Sequence, residues 1–206
     1  SKSGLVGGDG QRLYHYSKGR TLCGQVINEA VSYALATAEV NASMGRIVAC
    51  PTAGSCGIVP AVLESVQQSL DLTDEEVTMG LFTSAAIGSV VAFKASVSGA
   101  VGGCQAECGT ASAMAAAAAV ELAGGSPEAA INAAAMVIKN VLGLVCDPVA
   151  GLVEVPCVKR NAMGASLALV CADMALAGIT SRIPMDDVIM AMDMVAHALP
   201  VSLKET

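Results

Sequence analysis

Apolar residues recur three and four positions apart along most of the chain, which is the spacing of one face of an α-helix. A first such segment runs from Gln25 to Met44, and others cover about residues 59–70, 105–122 and 159–177. The strict alternation that is typical of β-strands is not sustained, the nearest case being residues 45–49. The pattern predicts an all-α protein, a bundle of roughly six to eight helices that forms a single domain over residues 1–206.

Capping residues indicate the ends of further helices. Thr73 and Glu76 have the spacing of a capping box and predict a helix that reaches about residue 96. Ser126 followed by Pro127 predicts a helix to about residue 142, because a Ser cap and a Pro at the first position both favour a helix N-terminus. Acidic residues in a first turn favour a last helix over residues 185–199.

Glycine and proline divide these helices. Residues 1–24 contain six glycines, a density that predicts loop and turn. Residues 47–60 combine Pro and Gly with Thr, Ser and Cys, and we interpret them as a functional loop because a Gly-rich backbone can approach a ligand closely. Glycines at 99, 102 and 103 and prolines at 148 and 156 indicate further loops. We expect loops of this composition to line a functional site.

Composition and charge restrict the class of protein. Hydrophobic residues make up 54% of the chain and charged residues 14%, which is too apolar for a disordered chain, and we expect part of this surface to meet another chain in an oligomer. A net charge of −7 without a basic cluster argues against nucleic-acid binding. Uninterrupted apolar runs stay below the roughly 20 residues that span a bilayer, so no membrane segment is expected.

The eight cysteines are the main candidates for chemistry. The chain opens on polar, Gly-rich sequence rather than on a signal peptide, so we expect a cytoplasmic protein. In a reducing cytoplasm the cysteines are buried thiols or metal ligands rather than disulfides. No C-x-x-C pair occurs, which argues against a zinc ribbon, a ferredoxin-type cluster and a thioredoxin-like pair.

Position separates the cysteines only in part. Cys104 follows two glycines at a predicted helix start, Cys146 precedes Asp147 and Pro148, and Cys157 follows a proline. Such junctions favour a thiolate and leave room for a ligand, whereas mid-helix cysteines are typically core residues. Three other cysteines are interpreted less sharply. Cys23 lies in a predicted loop, and Cys108 could be either a core residue or a ligand. Cys171 lies mid-helix and fits a core residue.

Longer strings carry a resemblance to a known family. They are SKSGLVGG at residues 1–8, VNASMGR at 40–46, PTAGSCG at 51–57, GGCQAECG at 102–109, and the stretch from 143 to 161 that ends in CVKRN. Over its whole length the chain resembles the alpha chain, or alpha domain, of the bacterial iron-sulfur-dependent L-serine dehydratases. Alpha chains of that family extend further at both ends, and some have a tail cysteine that reaches the cluster, so we expect this chain to be a fragment or ordered part of one.

The resemblance implies an all-helical fold and a 4Fe-4S cluster with three cysteine ligands, which fall on Cys104, Cys146 and Cys157. One iron then has no permanent thiolate and can act as a Lewis acid on a leaving hydroxyl. The implied reaction is the elimination of water from L-serine, in which a base removes the α-proton. The aminoacrylate that results gives pyruvate and ammonia.

The matching strings also suggest substrate contacts. Thr52, Ser55 and the backbone around Gly54 offer hydrogen-bond donors for a carboxylate, although such residues equally serve turns and caps. The other matching strings offer secondary candidates, namely Lys2, Ser3, Asn41 and Arg46. The catalytic base of the family resembles a histidine of a beta chain or domain, and neither histidine of this chain, His15 or His197, is a good candidate. Activity is therefore expected to need that beta partner.

Two other functions compete with this hypothesis. One is a pyridoxal-phosphate-dependent lyase that uses Lys94 as its Schiff-base residue. The other is a non-catalytic helical scaffold whose cysteines are all core residues.

Overall fold

The computed structural model describes residues 1–204, which form nine α-helices and no β-strand. The all-α bundle predicted from the apolar spacing is confirmed. The helices are α1 (Asp9–Ser17), α2 (Gly24–Ala42), α3 (Ile58–Leu70), α4 (Asp74–Lys94), α5 (Gly99–Gly102), α6 (Cys104–Leu122), α7 (Pro127–Asn140), α8 (Cys157–Leu176) and α9 (Met185–Ala198), with 3-10 turns at Val149–Gly151 and Val201–Leu203.

Helix α6 forms the centre of the bundle. Every residue from Cys104 to Val120 is buried, and α3, α4, α7 and α8 pack around it. The alanines of this helix allow its neighbours to approach closely, and Gly88 of α4 lies so near Met114 that a Cβ would be 2.9 Å from its sulfur atom. The Ala-rich segment is therefore a tightly packed core helix.

The predicted helix ends are confirmed by their caps. Thr73 and Glu76 form the capping box, with the Thr73 amide donating to Glu76 Oε2 at 2.8 Å. Ser126 accepts a hydrogen bond from the Ala129 amide at 3.2 Å, and Pro127 occupies the first turn of α7. All seven helices predicted from the sequence occur, with ends that differ by no more than about two residues.

The prediction of loop over residues 1–24 is wrong for α1. Its Gly10 is a contact residue rather than a helix breaker, because a Cβ there would lie 2.7 Å from the Ala36 amide nitrogen of α2. Residues 99–102, predicted as loop, form the single turn α5.

Helix α4 exposes an apolar surface. We call this surface the α4 face. Only 17% of the most apolar 18-residue window of the helix is buried, and its mean hydropathy is 1.5. By length and composition alone α4 could cross a bilayer, so the expectation that every apolar segment is too short is not confirmed for this helix. The large exposed side chains of the α4 face are Met79, Leu81, Phe82, Val90 and Phe93.

Candidate functional site

The three predicted cluster ligands lie on segments that meet at the N-terminal end of α6. Cys104 is the first residue of α6, Cys157 is the first residue of α8, and Cys146 lies in the α7–α8 loop. All three are buried, with exposures of 1%, 6% and 2%. Gly103 allows this convergence, because its φ of 74° favours glycine and a Cβ there would lie 2.9 Å from the Leu144 carbonyl oxygen.

Arg160 links these segments. Its Nη1 donates to the Cys104 sulfur at 3.1 Å and to the Val145 carbonyl at 2.9 Å, and its Nη2 donates to Asp147 Oδ1 at 2.7 Å. Arg160 itself lies one turn after Cys157 on α8. One guanidinium therefore holds the start of α6, the α7–α8 loop and the first turn of α8 together.

Gln105 fixes the same loop through a second set of hydrogen bonds. The residue is fully buried, its backbone N–H donates to the Leu144 carbonyl at 3.0 Å, and its side-chain Oε1 accepts from the Gly143 amide at 2.9 Å. Its Nε2 reaches the Met192 carbonyl of α9 at 3.1 Å. A buried amide with all these partners adds rigidity without an unpaired polar group.

The electrostatics of this end favour a thiolate at Cys104. A hydrogen bond from Cys108 and the positive charge of Arg160 hold the pKa of Cys104 at about 7, below the ordinary thiol value, against the opposing effect of burial. The same hydrogen bond and burial raise the pKa of Cys108 well above its ordinary value, helped by the neighbouring charges of Glu107 and Cys157. Cys104 is thus the thiol of this pair that ionises first.

A compact donor group surrounds Cys104. The side-chain donor atoms of Cys104, Glu107 and Cys108 all lie within 4.8 Å of one another, and all three residues are buried. Cys108, which the sequence left open between packing and ligation, is therefore a neighbour of a predicted ligand. Cys171 is fully buried in the middle of α8, as its position in the sequence predicted.

A cleft with a volume of about 550 Å³ opens beside the cysteines. Four of the predicted substrate contacts line it, and so does Glu107. The remaining lining comes largely from the segments around residues 98–99 and 151–154. The four predicted contacts in this cleft are Lys2, Asn41, Thr52 and Gly54.

Hydrogen bonds organise the wall of the cleft. The Thr52 hydroxyl donates to Glu107 Oε1 and lies 3.0 Å from the hydroxyl of Ser55, which is fully buried behind it. Asn41 donates to the Ala53 carbonyl at 3.1 Å. The loop of residues 50–57 is therefore connected to α2 and to the first turn of α6.

Asn161 connects this loop to α8. Its Nδ2 donates to the Gly54 carbonyl at 2.7 Å and to the Cys157 carbonyl at 2.9 Å, and its Oδ1 accepts from the Gly57 amide at 2.9 Å. The residue is fully buried. Asn161 thereby joins the wall of the cleft to the helix that carries Cys157.

The remaining candidates lie in different places. Ser3 donates to Glu154, which lines the cleft. Arg46 lies in a separate cleft beside Cys56 and Pro60 and is not brought together with the other candidates. Both histidines, His15 and His197, are exposed and do not line the cleft.

A family model for the serine dehydratase alpha chain matches residues 1–206. This chain belongs to the serine dehydratase alpha chain family. The sequence is 60% identical to the probable L-serine dehydratase alpha chain of Bacillus subtilis, across 100% of this chain and 69% of that protein. It is 49% identical to the L-serine dehydratase alpha chain of Peptoniphilus asaccharolyticus (98% and 70%) and 43% identical to L-serine dehydratase 1 of Escherichia coli (88% and 40%).

The donor set of this alpha chain fits an iron-sulfur cluster. Soft thiolate ligands select such clusters, and the Arg160 guanidinium at the Cys104 sulfur offsets negative charge among these buried thiols. Hydrogen bonds to the ligand sulfur atoms are one means by which a protein sets the reduction potential of such a cluster.

Sequence reasoning missed the residues that hold this site together. Glu107, Arg160 and Asn161 all occur inside the strings that carry the family resemblance, but no role was predicted for them. Their spacing was the available signal, because Glu107 lies three residues after Cys104, and Arg160 three after Cys157. Polar side chains one helical turn from a proposed ligand share its helix face.

Proposed function

We propose that this alpha chain, together with a beta chain or beta domain, catalyses the dehydration of L-serine to pyruvate and ammonia. The observation that carries the proposal is the convergence of three buried cysteine segments, joined through Arg160, beside the cleft that Lys2, Thr52 and Glu107 line. The names of the relatives support the same reaction.

We further propose that Cys104, Cys146 and Cys157 hold a 4Fe-4S cluster. When bound, such a cluster with three thiolate ligands supplies a Lewis-acidic iron for the substrate hydroxyl. Cys104 is suited to ligation because its pKa of about 7 makes the thiolate accessible near neutral pH. Arg160 stabilises that thiolate and orients the α7–α8 loop.

The cleft is the proposed substrate site. Lys2 supplies a positive charge for the substrate carboxylate and the backbone near Gly54 supplies donors, while Thr52 lines the same wall with its hydroxyl donated to Glu107 Oε1. Ser55 positions Thr52, while Asn41 and Ser3 order the surrounding segments. We propose no substrate contact for Arg46, because it lies in another cleft. The described lining of the cleft contains no histidine, which supports a base supplied by the beta partner.

Charge and surface composition bear on the cellular setting. A net charge of −7 supports a protein that does not bind nucleic acid. We propose a cytoplasmic oligomer with its beta partner, outside the membrane, in which the exposed α4 face is covered by protein.

The pyridoxal phosphate alternative is not favoured by the structure. Lys94, its Schiff-base candidate, has a side chain that is 43% exposed and paired with Asp186 of α9 at 3.2 Å. A Schiff-base lysine is activated by desolvation or by a neighbouring cation, and an exposed lysine paired with a carboxylate has neither.

An anaerobic assay tests the proposed function. The purified protein, reconstituted with iron and sulfide, should show broad visible absorption that air bleaches, and should form pyruvate from L-serine only with the beta partner present. A sharp band that survives air and shifts with borohydride would favour the pyridoxal phosphate alternative. Full turnover without any beta partner would contradict the division of the site between two parts.

A further inference from the structure

Glu107 is a buried carboxylate at the junction of the cysteines and the cleft. The residue is 7% exposed, and one of its oxygens lies within 4.8 Å of the sulfur atoms of Cys104 and Cys108. It also lines the cleft that holds Lys2 and Asn41. Glu107 is therefore adjacent both to the proposed cluster ligand Cys104 and to the proposed substrate site.

The loop of residues 50–57 is shaped around this carboxylate. The Thr52 hydroxyl donates to Glu107 Oε1. Gly54 lies so close that a Cβ on it would be 2.6 Å from the same oxygen. A larger residue at position 54 would displace the carboxylate, since real Cβ atoms essentially never approach so closely. Two neighbours thus fix the position of Glu107 from the cleft side.

The chemistry of an amino-acid substrate matches this carboxylate. A carboxylate has two oxygens and accepts several hydrogen bonds at once, so the bond from Thr52 leaves room for a further donor. An α-ammonium group brings a positive charge and three N–H donors. The charged residues among the described lining are Lys2, Glu107 and Glu154, and Lys2 has the wrong sign for an ammonium group. Glu154 accepts from Ser3 as Glu107 accepts from Thr52, and both are 7% exposed, so position must separate the two.

Geometry favours Glu107 over Glu154 as the ammonium site. In serine the ammonium nitrogen and the hydroxyl oxygen are separated by only two carbon atoms. An ammonium group held at Glu107 therefore brings the substrate hydroxyl close to Cys104, whose sulfur atom lies within 4.8 Å of a Glu107 oxygen. The carboxylate of the substrate is then free to face Lys2 across the cleft.

We propose that Glu107 binds the α-ammonium group of the substrate, and that Thr52 holds the Glu107 carboxylate in position. The inference rests on the proposed serine dehydratase function and adds to it the group that selects an amino acid over a hydroxy acid. Glu107 is then a substrate-binding residue rather than a cluster ligand.

The test compares L-serine with 3-hydroxypropionate, which has the hydroxyl and carboxylate but lacks the ammonium group. In the reconstituted enzyme with its beta partner, Glu107→Gln should raise the KM for L-serine by about tenfold to a hundredfold, as expected for a lost charged contact. The inhibition constant of 3-hydroxypropionate should change by less than about twofold, because it makes no contact with the lost charge. Iron content should equal that of the wild type.

Glu121→Gln is the matched control. Glu121 is on the same helix and also accepts a hydrogen bond from a threonine, Thr83, but it lies at the other end of α6 and outside the cleft. This variant should leave the ratio of the two constants unchanged. Glu107→Asp, which keeps the charge, should retain preference for L-serine over 3-hydroxypropionate even where overall affinity falls, and so serves if Glu107→Gln folds poorly.

Three results would overturn the inference. Equal weakening of both ligands in Glu107→Gln would assign Glu107 a structural role. Loss of iron from Glu107→Gln, with iron retained in Glu121→Gln, would make Glu107 a metal ligand. An unchanged KM for L-serine would remove it from the substrate site. By contrast, a wild-type enzyme that forms no pyruvate would contradict the proposed function itself, so the two failures are distinguishable.

Discussion

The cysteine end of α6 and the α4 face distribute polar and apolar groups in opposite ways. At the cysteine end Gln105 and Asn161 are fully buried and Glu107 is 7% exposed. On the α4 face Phe82 is 66% exposed and Phe93 is 89% exposed. Each region departs from the usual rule that apolar side chains lie inside and polar ones outside.

The difference shows where each region finds its partners. The buried amides have theirs within the chain, since Gln105 and Asn161 are hydrogen-bonded to backbone groups of neighbouring segments. Networks of this kind hold a site in one geometry. Exposed apolar patches are instead typical of surfaces that contact another protein or a membrane. Rigidity at the site thus comes from within the chain, whereas the α4 face contributes little to the fold.

The largest effect is expected from a buried position of α4. Val91 is fully buried, so Val91→Ala should lower the free energy of unfolding by about 2 kcal/mol through lost burial and a cavity. Phe93→Ala on the same helix should change it by less than about 0.5 kcal/mol, because that ring is already exposed. Urea unfolding of the isolated chain measures both. Equal losses would mean that the α4 face is covered in the free chain.

A smaller effect is expected at Arg160. Because a cation favours the thiolate, Arg160→Gln should raise the pKa of Cys104 from about 7 by about one pH unit. This titration is followed by the ultraviolet absorbance of the metal-free protein, from which the absorbance of the Cys104→Ala variant is subtracted. In Arg160→Gln the thiolate fraction of Cys104 at pH 7 should fall below the value of about one half expected for the unchanged protein.

Lys159→Gln provides the comparison for that titration. Lys159 is the adjacent residue, but its ammonium pairs with Asp9 at 3.5 Å and its side chain is 71% exposed. The titration of Cys104 should therefore be unaffected. A shift of the same size in both variants would show that general charge, not the contact with Arg160, sets the pKa.

Sequence predicted most of the fold because its signals are local. The capping box at Thr73 and the Ser126–Pro127 start depend on residues within one turn, and both were confirmed. Helix α1 was missed because Gly10 is explained by a contact with Ala36, which is distant in the sequence. Glycine used for close packing is not distinguishable by composition from glycine that breaks a helix.

The candidate site was predictable only in part for the same reason. The positions of Cys104 and Cys157 at helix starts followed from adjacent glycine and proline and are confirmed. The choice of three ligands among eight cysteines came from resemblance and remains a prediction. The roles of Arg160 and Asn161 depend on contacts with the α7–α8 loop and with residues 54–57, which no local pattern encodes.

Iron content of single cysteine variants tests the central claim most directly. After identical anaerobic reconstitution, Cys104→Ala, Cys146→Ala and Cys157→Ala should each lose most of their bound iron, since each removes a proposed ligand. Cys171→Ala, which alters a buried mid-helix thiol, should retain the wild-type amount. Full iron in all three ligand variants, or loss of iron from Cys108→Ala while Cys157→Ala keeps it, would contradict the proposed ligand set.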